Sequence, residues 1–247
     1  MKFFISSDIH GYYDEWIYAL VSSGFNINNP GHKVIVCGDL FDRGNQPQQI
    51  IDFILEHKDK IVLIKGNHDD AALRCINTNK FTYEDYWNGT ADTFKLLDLN
   101  SKDEECSQKL SVIAEESGMK EVLDMAIDYF ETKNYVFVHG FIPVTKEFKY
   151  NKNWRNATQK EWQQARWTTC VDAYKNQIKE PNKTIVCGHY HCSVMWHLTQ
   201  PELYDEYGER ENFEPFISEN LIAIDSSVSH TGKLNVVVLE DEEYKRG

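Results

Sequence analysis

A chain of 247 residues can bury a substantial core as one large domain, and its 41% hydrophobic and 26% charged residues are an ordinary globular balance. The formal net charge of −13 disfavours a nucleic-acid groove, which needs a basic surface, but still allows a phosphate ligand wherever bound cations reverse the sign locally. No apolar run approaches the roughly 18 residues of a membrane span, and the opening Met1-Lys2-Phe3-Phe4-Ile5 reaches charge too soon for a secretory signal, so a cytoplasmic protein is expected.

Six short apolar runs read as strands: Phe3-Phe4-Ile5, Val34-Ile35-Val36-Cys37, Ile61-Val62-Leu63-Ile64, Val136-Phe137-Val138, Thr184-Ile185-Val186-Cys187 and Leu221-Ile222-Ala223-Ile224. They are rich in β-branched residues and lack alternation, as strands covered on both faces should be. Between the first three, Trp16, Ile17, Leu20 and Val21 share one helical face, and Ile50, Ile51, Ile54 and Leu55 share another. Strand and helix in alternation predict a layered α/β fold. From about residue 80 to 131 the rhythm breaks. Leu110, Ile113 and Ala114 precede Gly118, and Val122, Leu123, Ala126, Ile127 and Phe130 resume at helical spacing, which predicts a helical insertion packed on the sheet. Its outer face carries Asp103, Glu104, Glu105, Glu115, Glu116, Glu121 and Asp128, expected to be solvated. Lys233 to Leu239 reads as a last strand, pairing as a hairpin with the 221–224 run. No repeat, low-complexity stretch or Pro/Gly-rich linker divides the chain, so residues 1–247 are expected to form a single domain.

The chemistry lies in the residues just after each strand. The first is followed by Ser7-Asp8-Ile9-His10-Gly11, the second by Gly38-Asp39-Leu40-Phe41-Asp42-Arg43-Gly44, and the third by Lys65-Gly66-Asn67-His68-Asp69. His139-Gly140 and Gly188-His189 follow the next two. Ligands of open α/β sheets bind beyond the carboxyl ends of the strands, so five strands deliver Asp, His and Asn side chains to one rim. Singly, each motif is more often a turn, a helix cap or a satisfied core histidine. Jointly, ligand-type residues beside glycine, each time after an apolar strand, are hard to generate by chance, and glycine permits the tight turns and close approach of a site. The candidate ligands are Asp8, His10, Asp39, Asn67, His139 and His189. Oxygen and imidazole donors without thiolate suit manganese, iron or zinc. Six are too many for one ion with an open position and suit two, which can share a water and hold both oxygens of an in-line displacement. Arg43 adds a planar fork for phosphate oxygens.

The six cysteines form no CxxC pair. Cys37 and Cys187 each close an apolar run, where a reduced, buried thiol is the simpler reading. The run Cys187-Gly188-His189-Tyr190-His191-Cys192 lacks the paired spacing of a structural zinc site.

The series SDIHG, GDLFDRG, GNHDD, HG and GH, from Asp8 to the closing strand, resembles the signature of the phosphoprotein phosphatase family of calcineurin-like metallophosphoesterases. Trp87-Asn88-Gly89-Thr90-Ala91-Asp92-Thr93 is similar to a stretch of its bacterial and phage branch, and Ile224-Asp225-Ser226 with Gly232-Lys233-Leu234 to its closing strand pair. The resemblance implies two mixed sheets in a sandwich flanked by helices. It implies that Asp8, His10 and Asp39 bind one metal and that Asp39, Asn67, His139 and His189 bind the other, with a metal-bridging hydroxide as nucleophile. His68 is then the general acid, kept charged by Asp42. Arg43, Asn67 and a second arginine hold the phosphate, and Arg166 fits the second position better than Arg155, for which a surface salt bridge is expected. Ser7 stands where the family has glycine, Asp69 where it has glutamate, and Tyr190 and His191 follow the last histidine. His191, His197 and His230 are expected in solvent or supporting positions.

The implied activity is a metal-dependent phosphomonoesterase, a serine/threonine phosphatase acting on phosphorylated protein or peptide, with manganese as the expected metal and neither nucleic acid nor membrane as partner. A symmetrical dinucleoside tetraphosphatase shares the ligand set, but that branch typically has alanine before the motif arginine, where this chain has Asp42. A silent binding scaffold would need neither His68 nor Arg43.

Overall fold

The computed structural model describes residues 1–99 and 106–242. Asp103, Glu104 and Glu105 lie outside them. The described strands are β1 (Lys2–Ser6), β2 (His32–Cys37), β3 (Ile61–Ile64), β4 (Phe130–Glu131), β5 (Tyr135–Phe137), β6 (Thr184–Cys187), β7 (Phe216–Ile217), β8 (Leu221–Ala223) and β9 (Val237–Glu240). The helices are α1 (Tyr13–Ser22), α2 (Pro47–Glu56), α3 (Asn67–Thr78), α4 (Tyr83–Asn88), α5 (Thr90–Leu97), α6 (Leu110–Glu116), α7 (Met119–Met125), α8 (Gln159–Ala165), α9 (Cys170–Lys175), α10 (Cys192–Thr199) and α11 (Val228–Thr231).

The strands form two mixed sheets, in the orders β3-β2-β1-β9 and β4-β5-β6-β8-β7. In the first, β1, β2 and β3 are parallel, with Ile5 opposite Ile35 and Ile35 opposite Val62, and β9 closes the far edge antiparallel to β1. In the second, β5, β6 and β8 are parallel between antiparallel edges. Side chains alternate across a strand, so Phe3, Ile5, Ile35 and Cys37 meet Phe137, Val186 and Ile222 between the sheets. Phe4, Val34 and Val36 turn outward into a core shared with residues of α1 to α3 and α5 to α7. Val136, Ile185 and Cys187 do the same beneath α8 to α10. The result is helix, sheet, sheet, helix, and both faces of every parallel strand are covered, which is why none of them alternates in polarity.

Three local expectations are corrected. The closing strand does not pair with the 221–224 run: β9 joins β1, while β8 takes β7 and β6 as neighbours. Phe130, which continued a helical spacing, begins β4 instead. Val21 is 63% exposed, so the buried stripe of α1 is narrower than its apolar pattern. No described helix is long and apolar enough to cross a membrane.

Candidate metal centre

The carboxyl ends of β1, β2, β3, β5 and β6 meet at one rim, stitched across the two sheets. The backbone N–H of His189 donates to Asp8 Oδ2 at 2.9 Å and His139 Nδ1 lies 2.8 Å from the Cys37 carbonyl, both across the sheets, and within the second sheet the N–H of Gly188 donates to the carbonyl of His139 at 2.8 Å. A Cβ at Gly188 would strike the Asp8 carboxylate and the Ser7 side chain, so only glycine lets the sheets approach this closely. Backbone strain concentrates at the same rim. Asp8, His10, Asp39, Asp42, Arg43 and His189 all take positive φ, between 48° and 76°. Such conformations cost a non-glycine residue about 1 kcal/mol or more and persist only where the surroundings impose them.

Asp39 stands at the centre. Its Oδ2 lies 3.4 Å from His139 Nε2 and 3.9 Å from both His10 Nε2 and His68 Nε2. Its Oδ1 accepts the backbone N–H of His68 at 3.0 Å. Asp8 Oδ1 is 3.9 Å from His10 Nε2, and Asn67 Oδ1 is 2.7 Å from His139 Nε2. Ligand-type atoms of His10, Asp39 and His68 lie within 4.8 Å of one another, as do those of Asp39, His139 and His189. Asp69, the departure from the family glutamate, braces this arrangement by accepting the N–H groups of Gly66 at 2.7 Å, Asp39 at 3.1 Å and Leu40 at 3.3 Å.

The donor set fits divalent metal. His10 Nδ1 is 2.9 Å from the Phe41 carbonyl and His139 Nδ1 is 2.8 Å from that of Cys37. A ring that donates Nδ1–H to a carbonyl and is otherwise neutral presents the lone pair of Nε2. His139 Nε2 then faces the oxygens of Asn67 and Asp39, acceptor against acceptor, and a cation reconciles them, while His10 Nε2 has the Arg43 guanidinium at 3.0 Å and the Asp8 and Asp39 carboxylates at 3.9 Å. Burial holds His10 well below the ordinary histidine range, reinforced by Arg43. Burial and neighbouring His139 lower His189 to about 3, so this ring too is neutral, as a ligand must be. The carboxylates show the complementary excess. Burial, then Asp225 and Asp39, raise Asp8 well above its usual value, and burial raises Asp69 and Asp225 each to about 6. A buried pocket with surplus negative charge and neutral imidazoles is built for cations.

His68 differs from the ligand histidines. Its Nδ1 lies 2.7 Å from Asp42 Oδ2, and burial, which disfavours charge, is outweighed by Asp39 and by this hydrogen bond, so its pKa is raised. Asp42 is fully buried and fixed by two hydroxyls. Thr90 donates to Oδ2 at 2.7 Å and Thr93 to Oδ1 at 3.1 Å. This support, supplied by α5, is the structural content of the Trp87–Thr93 stretch. Arg43 is exposed and forks between the two rings, with Nη1 3.0 Å from His10 Nε2 and Nη2 3.4 Å from His68 Nε2.

Both arginines weighed as the second phosphate contact are ion-paired. Arg166 is buried, with Nη1 2.7 Å from Asp70, Nη2 on Asp128 and Nε on the Lys65 carbonyl at 3.2 Å. Asp128 is therefore an ion-pair partner and not part of the solvated acidic face. Arg155 pairs with Glu131 at 2.6 Å and Glu180 at 2.8 Å, the salt-bridge role expected of it. His191 meets the Tyr207 hydroxyl at 2.7 Å, His197 the Tyr204 carbonyl at 3.0 Å, and His230 Glu211 at 3.1 Å, all outside the ligand cluster. Asp225 is the residue sequence reasoning left without a role. It comes just after β8, as the ligands come after their strands, but no histidine or glycine beside it signalled the site.

Over residues 1–220 the sequence matches the calcineurin-like phosphoesterase family. The chain belongs to that family. Members of that family depend on a dinuclear metal centre. One relative of the chain is the symmetrical bis(5'-nucleosyl)-tetraphosphatase of Buchnera aphidicola subsp. Acyrthosiphon pisum (strain Tuc7), 33% identical over 69 residues, which are 28% of this chain and 24% of that protein. Another is the asymmetrical bis(5'-nucleosyl)-tetraphosphatase of Bacillus subtilis (strain 168), 31% identical over 115 residues, covering 43% of this chain and 46% of that one. The chain thus spans less than half the length of either relative. In fold it is similar to a protein serine/threonine phosphatase of Saccharomyces cerevisiae, with a TM-score of 0.55 and 13% identity over 100% of this chain and 82% of the other.

Proposed function

We propose that this phosphoesterase is a serine/threonine protein phosphatase whose residues 1–247 form one domain. Asp8, His10 and Asp39 surround one divalent ion, and Asp39, Asn67, His139 and His189 a second, with manganese the expected metal for this oxygen and imidazole set. When bound, such ions supply Lewis acidity and a nucleophile at neutral pH. The rest is the work of the chain. Arg43 offers its fork to the phosphate oxygens. Asn67 turns Oδ1 toward His139, which leaves its amide nitrogen for the substrate. The first turn of α3 adds the positive end of a helix dipole.

The observation that carries the reading is the His68–Asp42 pair. Expelling a serine or threonine alkoxide without a proton is costly, and a buried imidazolium held by a carboxylate supplies one at the rim. Six unpaired cysteines, five of them buried, suit a reducing cytoplasmic setting. The second reading, a dinucleoside tetraphosphatase, is favoured by what the Buchnera and Bacillus relatives are called. A rate panel with Mn2+ separates the two, using a phosphoserine peptide, p-nitrophenyl phosphate and diadenosine tetraphosphate. The highest kcat/KM is expected on the peptide. Turnover of the tetraphosphate without turnover of the peptide would replace the first reading with the second.

A further inference from the structure

We propose that Arg166 is a positioning residue of the metal centre, not a phosphate ligand: it locks the turn that orients His139 and His189 onto the helix that carries Asn67 and His68. On one side its guanidinium grips the ligand helix. Nε donates to the carbonyl of Lys65, two residues before Asn67, and Nη1 to Asp70 in the first turn of α3, while Nη2 takes Asp128 at the end of the insertion. On the other side Arg166 belongs to the tight turn at the end of α8. The N–H of Phe141 donates to the Ala165 carbonyl at 3.0 Å. The carbonyls of Ala165, Arg166 and Thr168 crowd Gly140, where an added Cβ would lie 2.6 to 2.7 Å from all three, so the turn seats directly beside His139. The Trp167 indole meets the His189 ring edge-on at 5.8 Å and 87°, so the turn also limits how that imidazole is aimed.

The same contacts argue against a phosphate role. The guanidinium is 2% exposed and each of its nitrogens already has an acceptor. Turning toward a substrate would leave Asp70 and Asp128 as half-buried charges without their cation, which is strongly disfavoured. Phosphate recognition then rests on Arg43, Asn67 and the ions. The proposal rests on the reading that His139 and His189 are ligands.

The test compares wild type with Arg166→Lys and Asp128→Asn. The proteins are stripped of metal, titrated with Mn2+ by calorimetry, and then assayed at saturating Mn2+ for kcat, KM and competitive inhibition by inorganic phosphate. Lysine keeps the charge but cannot serve three acceptors as a fork. Loss of such supporting contacts typically costs 10- to 100-fold in metal affinity, so both variants should bind Mn2+ at least about 10-fold more weakly. KM and phosphate inhibition of the loaded protein should stay within about 2-fold of wild type. If Arg166→Lys fails to fold by circular dichroism, the isosteric Asp128→Asn decides alone. Wild-type Mn2+ affinity in Asp128→Asn overturns the proposal, as does a loss of phosphate inhibition in Arg166→Lys with metal affinity intact. A wild-type chain that binds no Mn2+ overturns the metal centre itself, a result distinct from normal uptake with unaffected variants.

Discussion

Replacing Asp42 by asparagine keeps the shape of the side chain and removes its charge, which isolates what the carboxylate does for His68. The pair meets at 2.7 Å, with the carboxylate 1% and the imidazole 7% exposed, so solvent screens the interaction little. Two unit charges about 4 Å apart at an effective dielectric of about 20 attract by about 4 kcal/mol. Desolvation cancels part of that, and about 2–4 kcal/mol of lost support for the imidazolium corresponds to roughly 30- to 10³-fold, since about 1.4 kcal/mol is tenfold. That range overlaps the lower part of the about 10²–10⁴-fold a positioned acid contributes. The loss should appear only where the leaving group needs the proton. Asp42→Asn should therefore lower kcat/KM on a phosphoserine peptide by about 10²-fold and on p-nitrophenyl phosphate by less than about 10-fold, with metal content unchanged. The basic limb of the pH–rate profile should move to lower pH, because a histidine without its carboxylate releases its proton sooner. His68→Asn should give the same bias more strongly. Equal losses on both substrates at full metal occupancy would refute the role of the pair.

Thr90→Val and Thr93→Val each remove one hydroxyl from Asp42 and should reproduce the Asp42→Asn bias in milder form, because a charged acceptor that loses a hydrogen bond forfeits about 1.5–3 kcal/mol. A uniform rate loss, independent of leaving group, would speak against this route. Exhaustive chelation should abolish activity and Mn2+ restore it at close to two ions per chain. Asp39→Asn should weaken both ions, and full activity of the chelated protein would rule the centre out. Asp85 is buried, which works against its charge, but the Thr82 N–H and hydroxyl and the Arg74 guanidinium hold its pKa below the usual range. A depressed carboxylate stabilises the fold fully above its unfolded value, about 3.9, and loses that contribution as pH falls through the folded one. Asp85→Asn should therefore cost about 1–2 kcal/mol in urea melts at pH 7, in line with a lost helix cap, and the gap should close below about pH 4. A gap that does not change with pH would sink the argument.

The candidate ligands could be picked out in the sequence because each comes after an apolar strand and has glycine within three residues, a pattern that backbone geometry alone would not require so often. The layered α/β class was legible because strands covered on both faces carry no polar alternation, whereas the two-sheet sandwich was implied only by the resemblance. What escaped was set by partners distant in the chain. Nothing near Arg166 reveals that Asp70 and Asp128 wait for it 96 and 38 residues away. The pairing of β9 with β1 could not be inferred from local pattern, since a strand of mixed burial fits either sheet edge. Asp225 lacked a motif, and the support that Thr90 and Thr93 give Asp42 spans 48 and 51 residues.

The left-handed backbone at Asp8, His10, Asp39, Asp42, Arg43 and His189 bears on how this protein can be engineered. Glycine, and to a lesser degree asparagine, would relax each of these positions. Replacing an aspartate by asparagine would also thin the negative charge crowded around Asp39. Local energetics at the rim thus run against the chemistry, and many substitutions that destroy the centre should raise the melting temperature of the metal-free chain. A library selected for heat resistance alone would drift toward inert variants. Selection in the presence of Mn2+, where the ions offset both the strain and the repulsion, would hold the site in place.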